Sequence, residues 1–271
     1  MIENAAARFG FARMPFGRGL PAARLHSHRD LGEAAARLGW AVSEKTIALV
    51  TGESGSGKTV AIRAAAAALD PSVHHVIYIG NSTTGTRGVL DRIVTALGGK
   101  PAHGTAALAT QAWNLLAGEA AERGRTPVLA LDEAHLFDHE QLESIRQLTN
   151  YEMDSSTPFA TLLAGQPTLR HSIRLGVLSA LDQRITVRYQ MRGMTPEETA
   201  GYIRHHLAEA GRTTELFTDD AVTQIHQAAR GRPRMVNNIC LAALVATAVT
   251  GKNLVDHACA RAAIAEVTAT D

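Results

Sequence analysis

Residues 52–59 read Gly52-Glu53-Ser54-Gly55-Ser56-Gly57-Lys58-Thr59, and this stretch decides the fold. It fits the pattern G-x-x-x-x-G-K-[ST] and lies between a predicted strand, Thr46–Thr51, and a predicted helix, Gly57–Leu69. Glycines in such a loop let backbone N–H groups wrap a polyphosphate, and the helix N-terminus adds partial positive charge. The sequence therefore predicts a phosphate-binding loop at the start of an α/β domain.

The chemistry of such a loop gives its residue types different tasks. Lys58 is expected to reach the β- and γ-phosphates, and the Thr59 hydroxyl is expected to ligate Mg²⁺. The predicted nucleotide contacts are Gly52, Glu53, Ser54, Gly55, Ser56, Gly57, Lys58, Thr59 and Val60. The sequence thus predicts ATP and Mg²⁺ as the cofactors.

A second motif, Val128-Leu129-Ala130-Leu131-Asp132-Glu133, is an apolar strand that ends in two carboxylates. In a parallel sheet such a strand end lies beside the phosphate loop. Asp132 is expected to contact the nucleotide and to hold Mg²⁺, largely through water. Glu133 is expected to polarise the attacking water as a general base.

Short apolar segments alternate with helical patterns along residues 46–190. The predicted strands are Thr46–Thr51, His75–Gly80, Pro127–Asp132, Phe159–Ala164 and Ile185–Gln190. This alternation predicts an α/β fold, a P-loop nucleoside triphosphatase whose five-stranded parallel sheet is covered by helices on both faces. After these strands, Thr195-Pro196-Glu197-Glu198 is typical of a helix start and opens a small all-helical lid. The predicted domains are a lead segment 1–45, a nucleotide-binding domain 46–190 and a lid 191–271.

Composition excludes several classes of protein. A net charge of +1 excludes a strongly basic nucleic-acid-binding tail, and two cysteines exclude a disulfide framework. The longest apolar run, Ile239–Thr250, is shorter than the ~18–20 residues that a membrane span needs. The N-terminus lacks the apolar region of a secretory signal. We therefore expect a cytoplasmic protein with no membrane segment of its own.

A nucleotide-binding sheet followed by a small helical lid resembles the AAA+ ATPases. The resemblance implies that Gln166 is the first sensor, near the γ-phosphate and the attacking water, although the family more often has Asn or Thr there. Gly231-Arg232-Pro233-Arg234 resembles the second-sensor motif, from which Arg234 would contact the γ-phosphate. Arg184, just before the fifth strand, is similar to the arginine finger that reaches a neighbouring subunit's nucleotide, with Arg174 as the alternative. Gln166, Arg184 and Arg234 thus join Lys58 and Glu133 as the predicted catalytic residues.

A finer resemblance, to the ExeA-like group with its TniB, TnsC and IstB-like transposition helper ATPases, spans most of residues 9–250. The motifs quoted above carry it, together with Met14-Pro15-Phe16, Leu163-Ala164-Gly165-Gln166-Pro167, Gln183-Arg184-Ile185 and Met194-Thr195-Pro196-Glu197-Glu198-Thr199. It implies an ATPase that hydrolyses Mg-ATP and forms homo-oligomeric rings or filaments on double-stranded DNA, where it recruits or activates a transposase. Secretion-type ExeA proteins carry a membrane span and an envelope-binding region after the ATPase. Their absence here is expected to favour the transposition branch.

Two regions are candidates for contact with DNA. The segment 81–87 combines hydroxyl groups with one arginine, so Thr83, Thr84 and Arg87 are predicted to touch DNA phosphates, unless the segment is a plain solvent loop. The lead segment could contact DNA, a neighbouring subunit or transposase through a series of arginines: Arg8, Arg13, Arg18, Arg24 and Arg29. Phe16 could instead pack near the adenine, as upstream segments do in this class.

Other functions remain as rivals. A secretion or envelope-assembly ATPase would need a membrane partner from another chain. A nucleotide-dependent switch with negligible turnover is disfavoured by the presence of Glu133, Gln166 and Arg184. A replication loader of the DnaA or Orc type would usually append a DNA-binding helical domain, and a helicase reading of Asp132-Glu133-Ala134-His135 would need a second RecA-like domain. Neither addition is expected in the remaining chain.

Overall fold

The computed structural model describes residues 2–17, 19–80, 85–150 and 157–269. The chain forms two compact units. The sheet unit comprises Leu31–Ser54 and Lys58–Met191, and the helical unit comprises Met1–Asp30, Gly55–Gly57 and Arg192–Asp271. The three-part division into domains 1–45, 46–190 and 191–271 stays a prediction.

Five parallel strands form the sheet, in the order β2-β3-β4-β1-β5. The strands are β1 (Ile47–Gly52), β2 (His74–Ile79), β3 (Thr126–Leu131), β4 (Ala160–Gly165) and β5 (Ile185–Met191). Each strand agrees with its predicted counterpart to within one residue at either end. The predicted P-loop α/β fold is therefore confirmed.

The burial of the strands explains why short apolar runs in the sequence predict them. Every residue of β1 and β4 is buried, whereas the edge strands β2 and β5 carry exposed positions. Strands covered on both faces are continuous apolar runs, which residues such as Ala, Leu and Val supply here. The same order places the end of β4 between the ends of β1 and β3, where the phosphate loop and the paired carboxylates begin.

Helices precede, separate and follow the strands. Their bounds are α1 (Ile2–Phe9), α2 (Arg29–Ser43), α3 (Lys58–Ala68), α4 (Gly85–Ala96), α5 (Thr105–Ala121), α6 (His139–Leu148), α7 (Pro167–Arg174), α8 (Ser179–Arg184), α9 (Pro196–Glu209), α10 (Asp219–Ala229), α11 (Pro233–Val249) and α12 (His257–Thr268). The predicted start of α9 is confirmed, because Thr195 and Glu198 form a capping box with Pro196 in the first turn. Residues 139–153 have an apolar pattern that predicts one helix, with Leu142, Ile145 and Leu148 on one side. In the structure this helix ends at Leu148, and residues 151–153 lie outside the described part of the chain.

Each unit has its own hydrophobic core. Aliphatic side chains from the strands, α4, α5 and α6 dominate the core of the sheet unit. The core of the helical unit contains Phe9, Phe11 and Phe16 beside aliphatic residues of α9 to α12. The scarce phenylalanines of the lead segment therefore complete the packing of the C-terminal helices.

Helices α1, α2, α7 and α8 are not among the helices that the sequence predicted. In α2 the buried residues Leu31, Ala34 and Leu38 have helical spacing, but Gly32 and Gly39 weaken the helix signal, because glycine disfavours helix interiors. Helices α7 and α8 are only 8 and 6 residues long, too short to show a clear period. Their stability comes from packing on the sheet unit rather than from propensity.

Candidate nucleotide site

The phosphate loop connects the end of β1 at Gly52 to the start of α3 at Lys58. Gly55 has a φ of +78° and Gly57 has a φ of +101°. L side chains rarely adopt these backbone angles, so both positions require glycine. The loop therefore has the left-handed backbone turns that its glycines predict. Val60 follows the loop, in the first turn of α3.

Lys58 is a buried lysine held against the loop itself. Its Nζ donates to the carbonyl of Gly52 at 2.9 Å and to the carbonyl of Glu53 at 3.0 Å. The side chain is only 5% exposed, so its charge is compensated by these oxygens and remains aimed at the loop interior. An ammonium group placed in this way can turn to phosphate oxygens when a polyphosphate enters.

Ser56 supplies an independent test of whether a phosphate fits this loop. Ser56 is only 2% exposed, and its buried Oγ has no hydrogen-bond partner among the residues that the structure describes. Buried hydroxyl groups are normally paired, so an unpaired one in a glycine-rich loop indicates a missing acceptor. A phosphate oxygen would satisfy it, and the residues present therefore fit a bound nucleotide.

Thr59 and Asp132 meet although they come from different parts of the chain. Thr59 Oγ1 donates to Asp132 Oδ2 at 2.5 Å, and the backbone N–H of Glu133 donates to Asp132 Oδ1 at 2.9 Å. A hydroxyl beside a carboxylate fits Mg²⁺, which takes few protein ligands and completes its shell with water and substrate phosphates. No group of three or more His, Cys, Asp or Glu side chains that could hold a metal ion occurs among the described residues.

Glu133 follows Asp132 in a left-handed backbone conformation, with φ of 51°. Such a conformation is uncommon for a residue other than glycine and is concentrated at functional sites. The Glu133 side chain is 42% exposed, and its Oε2 lies 3.5 Å from Nδ1 of His135. The turn separates the two carboxylates: Asp132 is held inside, and Glu133 faces water that it could deprotonate.

Gln166 lies directly after β4, at the N-terminus of α7. In the sheet register, Gly165 pairs with Thr51 at the end of β1, and Leu163 pairs with Leu131 at the end of β3. Gln166 therefore lies at the same sheet edge as the loop and the carboxylates. Its role as a sensor of the γ-phosphate stays a prediction.

Arg184 lies at the other end of the strands, at the amino end of β5. Arg184 is the last residue of α8, immediately before β5. It lines a cavity of about 170 Å³ together with Thr46, which directly precedes β1, and Phe159, which directly precedes β4. Its guanidinium donates to Thr149 and Asn150, at 3.4 Å each. A strand of six residues spans ~20 Å, so Arg184 is remote from the loop of its own chain. The exposed alternative, Arg174, ends α7.

Arg234 lies in the first turn of α11 and contacts the phosphate loop within the helical unit. Its backbone N–H donates to the carbonyl of Gly55 at 3.2 Å. A Cβ at Gly55 would come within 2.7 Å of the Arg234 Cβ, so only glycine permits this approach. The predicted second-sensor residue is thus in contact with the loop.

Gly231, in the same motif, makes a contact that the sequence did not predict. Its carbonyl accepts from the N–H of Met194, and a Cβ at Gly231 would lie 2.1 Å from the Met194 carbonyl oxygen. Two backbones therefore touch where the motif begins. The glycine in this motif is needed for packing as well as for ending a helix.

The predicted DNA contacts are only partly described by the structure. Thr83 and Thr84 lie outside the described residues. Arg87, in the first turn of α4, donates to the carbonyl oxygens of Ala102 and His103. Its guanidinium thus tethers the loop before α5, and contact with DNA stays a prediction.

The lead segment uses its arginines and Phe16 inside the helical unit. Arg13 and Arg24 both pair with Glu209, and Arg8 donates to the carbonyl of Lys252. The ring of Phe16 stacks on His206 at 5.3 Å and is 3% exposed. Of the two remaining arginines, Arg29 donates its backbone N–H to the Glu198 carboxylate, and Arg18 lies outside the described residues.

Tyr78 is a site residue that the sequence analysis missed. Its hydroxyl donates to Asp132 Oδ2 at 3.0 Å from the neighbouring strand β2. Partial burial, the charge of Asp132 and this hydrogen bond raise the pKa of Tyr78 to about 12, so the hydroxyl keeps its proton. No sequence motif marks this position, because the contact depends on how β2 pairs with β3.

Comparison with known proteins agrees with this geometry. Residues 41–173 match the family described as AAA domain. The chain is also similar to the general secretion pathway protein A of Aeromonas hydrophila, with 32% identity over 253 residues. The match covers 92% of this chain and 46% of that protein, so the chain spans less than half of its relative's length.

Solved structures show the same fold at low identity. The Aeropyrum pernix ORC2 protein in its ADP form superposes with a TM-score of 0.70 at 15% identity, covering 93% of this chain and 71% of that chain. The Aeropyrum pernix ORC1 protein in complex with DNA gives a TM-score of 0.65 at 17% identity, covering 92% and 68%. These similarities show that the chain shares the fold of these two proteins. Within the described ranges, no helix has both the length and the apolar character to cross a membrane.

Proposed function

We propose that this chain is an ATPase that binds Mg-ATP at residues 52–60 and hydrolyses it. The observation that carries the proposal is the hydrogen bond between Thr59 and Asp132, 2.5 Å long, which joins the phosphate loop to the end of β3. A hydroxyl and a carboxylate meeting beside a glycine loop with a buried lysine form a site for a metal-bound triphosphate. The unpaired Ser56 hydroxyl supports the same conclusion.

Binding is assigned to the loop and to the residues that face it. Lys58 and the backbone N–H groups of the loop hold the β- and γ-phosphates, and Thr59 and Asp132 hold Mg²⁺ with water. Bound Mg²⁺ would neutralise phosphate charge and draw electrons from the leaving group. Arg234, already in contact with Gly55, is assigned to the γ-phosphate.

Hydrolysis is assigned to residues at the same sheet edge. Glu133 takes a proton from water as general base, since its carboxylate is partly exposed beside the held Asp132. Gln166, level with the end of β1, orients that water. Arg184 is too far from its own loop to take part, so its proposed task is to complete the site of a neighbouring copy. A homo-oligomeric ring or filament follows from that assignment.

A direct binding measurement tests the ATPase proposal. Calorimetry with ATP and Mg²⁺ is expected to give one site per chain, and a steady-state phosphate-release assay is expected to show turnover. AMP, which lacks the β- and γ-phosphates, serves as the control ligand and should not bind comparably. Absence of a heat signal with Mg-ATP, in a sample whose folding is verified by circular dichroism, would refute the proposal.

The proposed use of this ATPase is regulation of DNA transposition in the cytoplasm, by assembly on double-stranded DNA and recruitment or activation of a transposase. The ordered motifs that resemble TniB, TnsC and IstB-like proteins support this role. The fold shared with the ORC1 protein, which was solved in complex with DNA, is compatible with it. Contacts summed over an oligomer would give affinity despite a net charge of only +1 per chain.

A second candidate role is in secretion or envelope assembly, with a membrane partner on another chain. The specific observation in its favour is the 32% identity to the general secretion pathway protein A. Anisotropy of labelled duplex DNA with and without a non-hydrolysable ATP analogue separates the two roles. Analogue-dependent binding that weakens with salt supports the DNA role. Lack of DNA binding, combined with co-purification of a membrane protein, supports the secretion role.

A further inference from the structure

The carboxylate of Asp132 receives hydrogen bonds from three neighbours. Thr59 Oγ1 and the Tyr78 hydroxyl both donate to Oδ2, at 2.5 and 3.0 Å, and the N–H of Glu133 donates to Oδ1. Asp132 itself is only 2% exposed. Of these donors, the Tyr78 hydroxyl comes from a different strand and belongs to neither nucleotide motif.

Strand pairing places the tyrosine on the correct face for this contact. Tyr78 pairs with Ala130 in the register of β2 and β3, and the N–H of Asp132 donates to the carbonyl of Ile79 at 2.9 Å. Side chains two residues apart on a strand share a face, so Tyr78, Ala130 and Asp132 lie on the same side of the sheet. The small side chain of Ala130 leaves the diagonal path from Tyr78 to Asp132 open.

Gly80 provides a second, independent observation on the tyrosine. A Cβ at Gly80 would lie 2.8 Å from both Cε1 and the hydroxyl oxygen of Tyr78, closer than real Cβ atoms approach. The ring therefore folds back over Gly80, using the space that the missing side chain leaves. The ring is not a core group, because Tyr78 is 49% exposed.

We propose that Tyr78 is a positioning residue that fixes the Asp132 carboxylate toward Thr59 and thereby sets the affinity of the site for Mg²⁺. The inference rests on the proposed nucleotide function and adds a residue to it. A donor that fixes the carboxylate preorganises the site, because a freely rotating carboxylate would have to be ordered when the metal binds. Gly80 serves the same end by leaving room for the ring.

The test compares five chains: wild type, Tyr78→Phe, Gly80→Ala, the double variant that combines these two substitutions, and Tyr189→Phe. Tyr189→Phe is the matched control, since it removes the same hydroxyl from the opposite edge strand β5. Binding of a fluorescent ATP analogue is measured in EDTA and then over a range of Mg²⁺ concentrations. Thermal unfolding monitors the fold of each variant.

Tyr78→Phe and Gly80→Ala are both expected to raise the Mg²⁺ concentration at half-effect about tenfold, because partners of metal ligands typically contribute that much to affinity. Binding in EDTA should stay at the wild-type level, which a general loss of structure would not allow. The double variant should show no larger shift than either single variant, because both act through one hydrogen bond. If Tyr78→Phe does not fold, Gly80→Ala decides the question by the same measurement.

A wild-type Mg²⁺ dependence in Tyr78→Phe would overturn the inference while leaving the ATPase proposal intact. An equal loss of binding in EDTA and in Mg²⁺ would also overturn it, since the effect would then not involve the metal. A wild-type chain that binds no nucleotide under any condition would refute both proposals. The two failures are thus distinguished by the wild-type measurement alone.

Discussion

Thr59 and Asp132 share a hydrogen bond of 2.5 Å although 73 positions separate them in the chain. One residue begins helix α3 and the other follows strand β3, so the bond fixes the phosphate loop against the acidic end of the sheet. Contacts within the chain itself therefore organise the candidate site. Preorganisation of this kind lowers the entropic cost of binding. Lys58 and Glu133 are the chain neighbours of the two bonded residues.

Replacement of Lys58 by alanine is expected to weaken Mg-ATP binding by about 100-fold or more. The variant loses a charged donor aimed at the phosphates, and hydrogen bonds to charged groups contribute about 1.5–3 kcal/mol each. Calorimetric titration measures the change. The exposed Lys100→Ala variant is the control for loss of one positive charge. Equal affinities for both variants would contradict the assignment of Lys58.

Replacement of Glu133 by glutamine is expected to preserve nucleotide binding and to reduce turnover by about 10²–10⁴-fold. The amide keeps the shape of the side chain but cannot accept a proton, and general bases contribute about this much to rate. Phosphate release under saturating ATP is the measurement, with the exposed Glu140→Gln variant as the matched control. Unchanged turnover would remove Glu133 from its role.

Gly231→Ala is expected to destabilise the helical unit by more than about 3 kcal/mol. The new Cβ would lie 2.1 Å from the carbonyl oxygen of Met194. Because this oxygen belongs to the backbone, one of the two backbone segments must shift to remove the clash. Gly251→Ala is the control, because Gly251 has a similar φ of +74° but nothing within 4 Å of its Cβ position. The control should lose only the ~1–2 kcal/mol of left-handed strain. Urea denaturation compares them, and equal losses would show that strain alone matters.

Glu119→Gln is expected to cost about 2–3 kcal/mol of stability at pH 7. The carboxylate is buried and pairs with His75, Arg123 and Arg125. Its neutralisation leaves the two arginines without their counter-charge and His75 without a charged hydrogen-bond partner. The exposed Glu122→Gln variant on the same segment is the control, and urea denaturation is the measurement.

The same carboxylate predicts how this stability depends on pH. Burial opposes ionisation of Glu119, but hydrogen bonds from His75 and Arg123 outweigh it, so the pKa is lowered below its ordinary value of 4.5. Stability from this group is therefore complete above pH 4.5 and lost as pH falls through the lower folded-state pKa. The wild-type advantage over Glu119→Gln should shrink in acid, and a constant advantage would contradict the ion cluster.

His206 predicts an acid sensitivity of the helical unit at higher pH. Burial, followed by the charges of His205 and His26, lowers the pKa of His206 to about 4, whereas Glu209 opposes and Arg13 adds to this shift. Because the unfolded chain then takes up the proton first, stability is complete above pH 6.5 and falls as pH drops toward 4, by up to ~3 kcal/mol.

Replacing His206 by phenylalanine isolates this effect. The ring still stacks on Phe16, but it cannot take up a proton. Urea denaturation at pH 7.5 and 5.5 should show a smaller loss in His206→Phe than in wild type. Identical losses would assign the acid sensitivity to other groups of the cluster, among them His26 and His28, whose pKa values are also lowered by burial.

Much of the site could be predicted because its signals are local. The loop at residues 52–59 combines a strand, glycines, a lysine and a helix start in one continuous stretch. Asp132 and Glu133 end an apolar run, and Thr195 with Glu198 caps a helix through hydrogen bonds within one turn. Short-range spacing of this kind is visible without any knowledge of tertiary contacts.

Tertiary structure decided which of these pieces meet. The strand order places β4 between β1 and β3, so Gln166 lies beside the loop. Arg184 lies at the other end of the strands, with Thr46 and Phe159. The contact of Tyr78 with Asp132, and that of Gly231 with Met194, have no sequence signal. The physical reason is that residue types and spacing specify local backbone conformation, whereas strand register and backbone approach arise only when distant segments pack together.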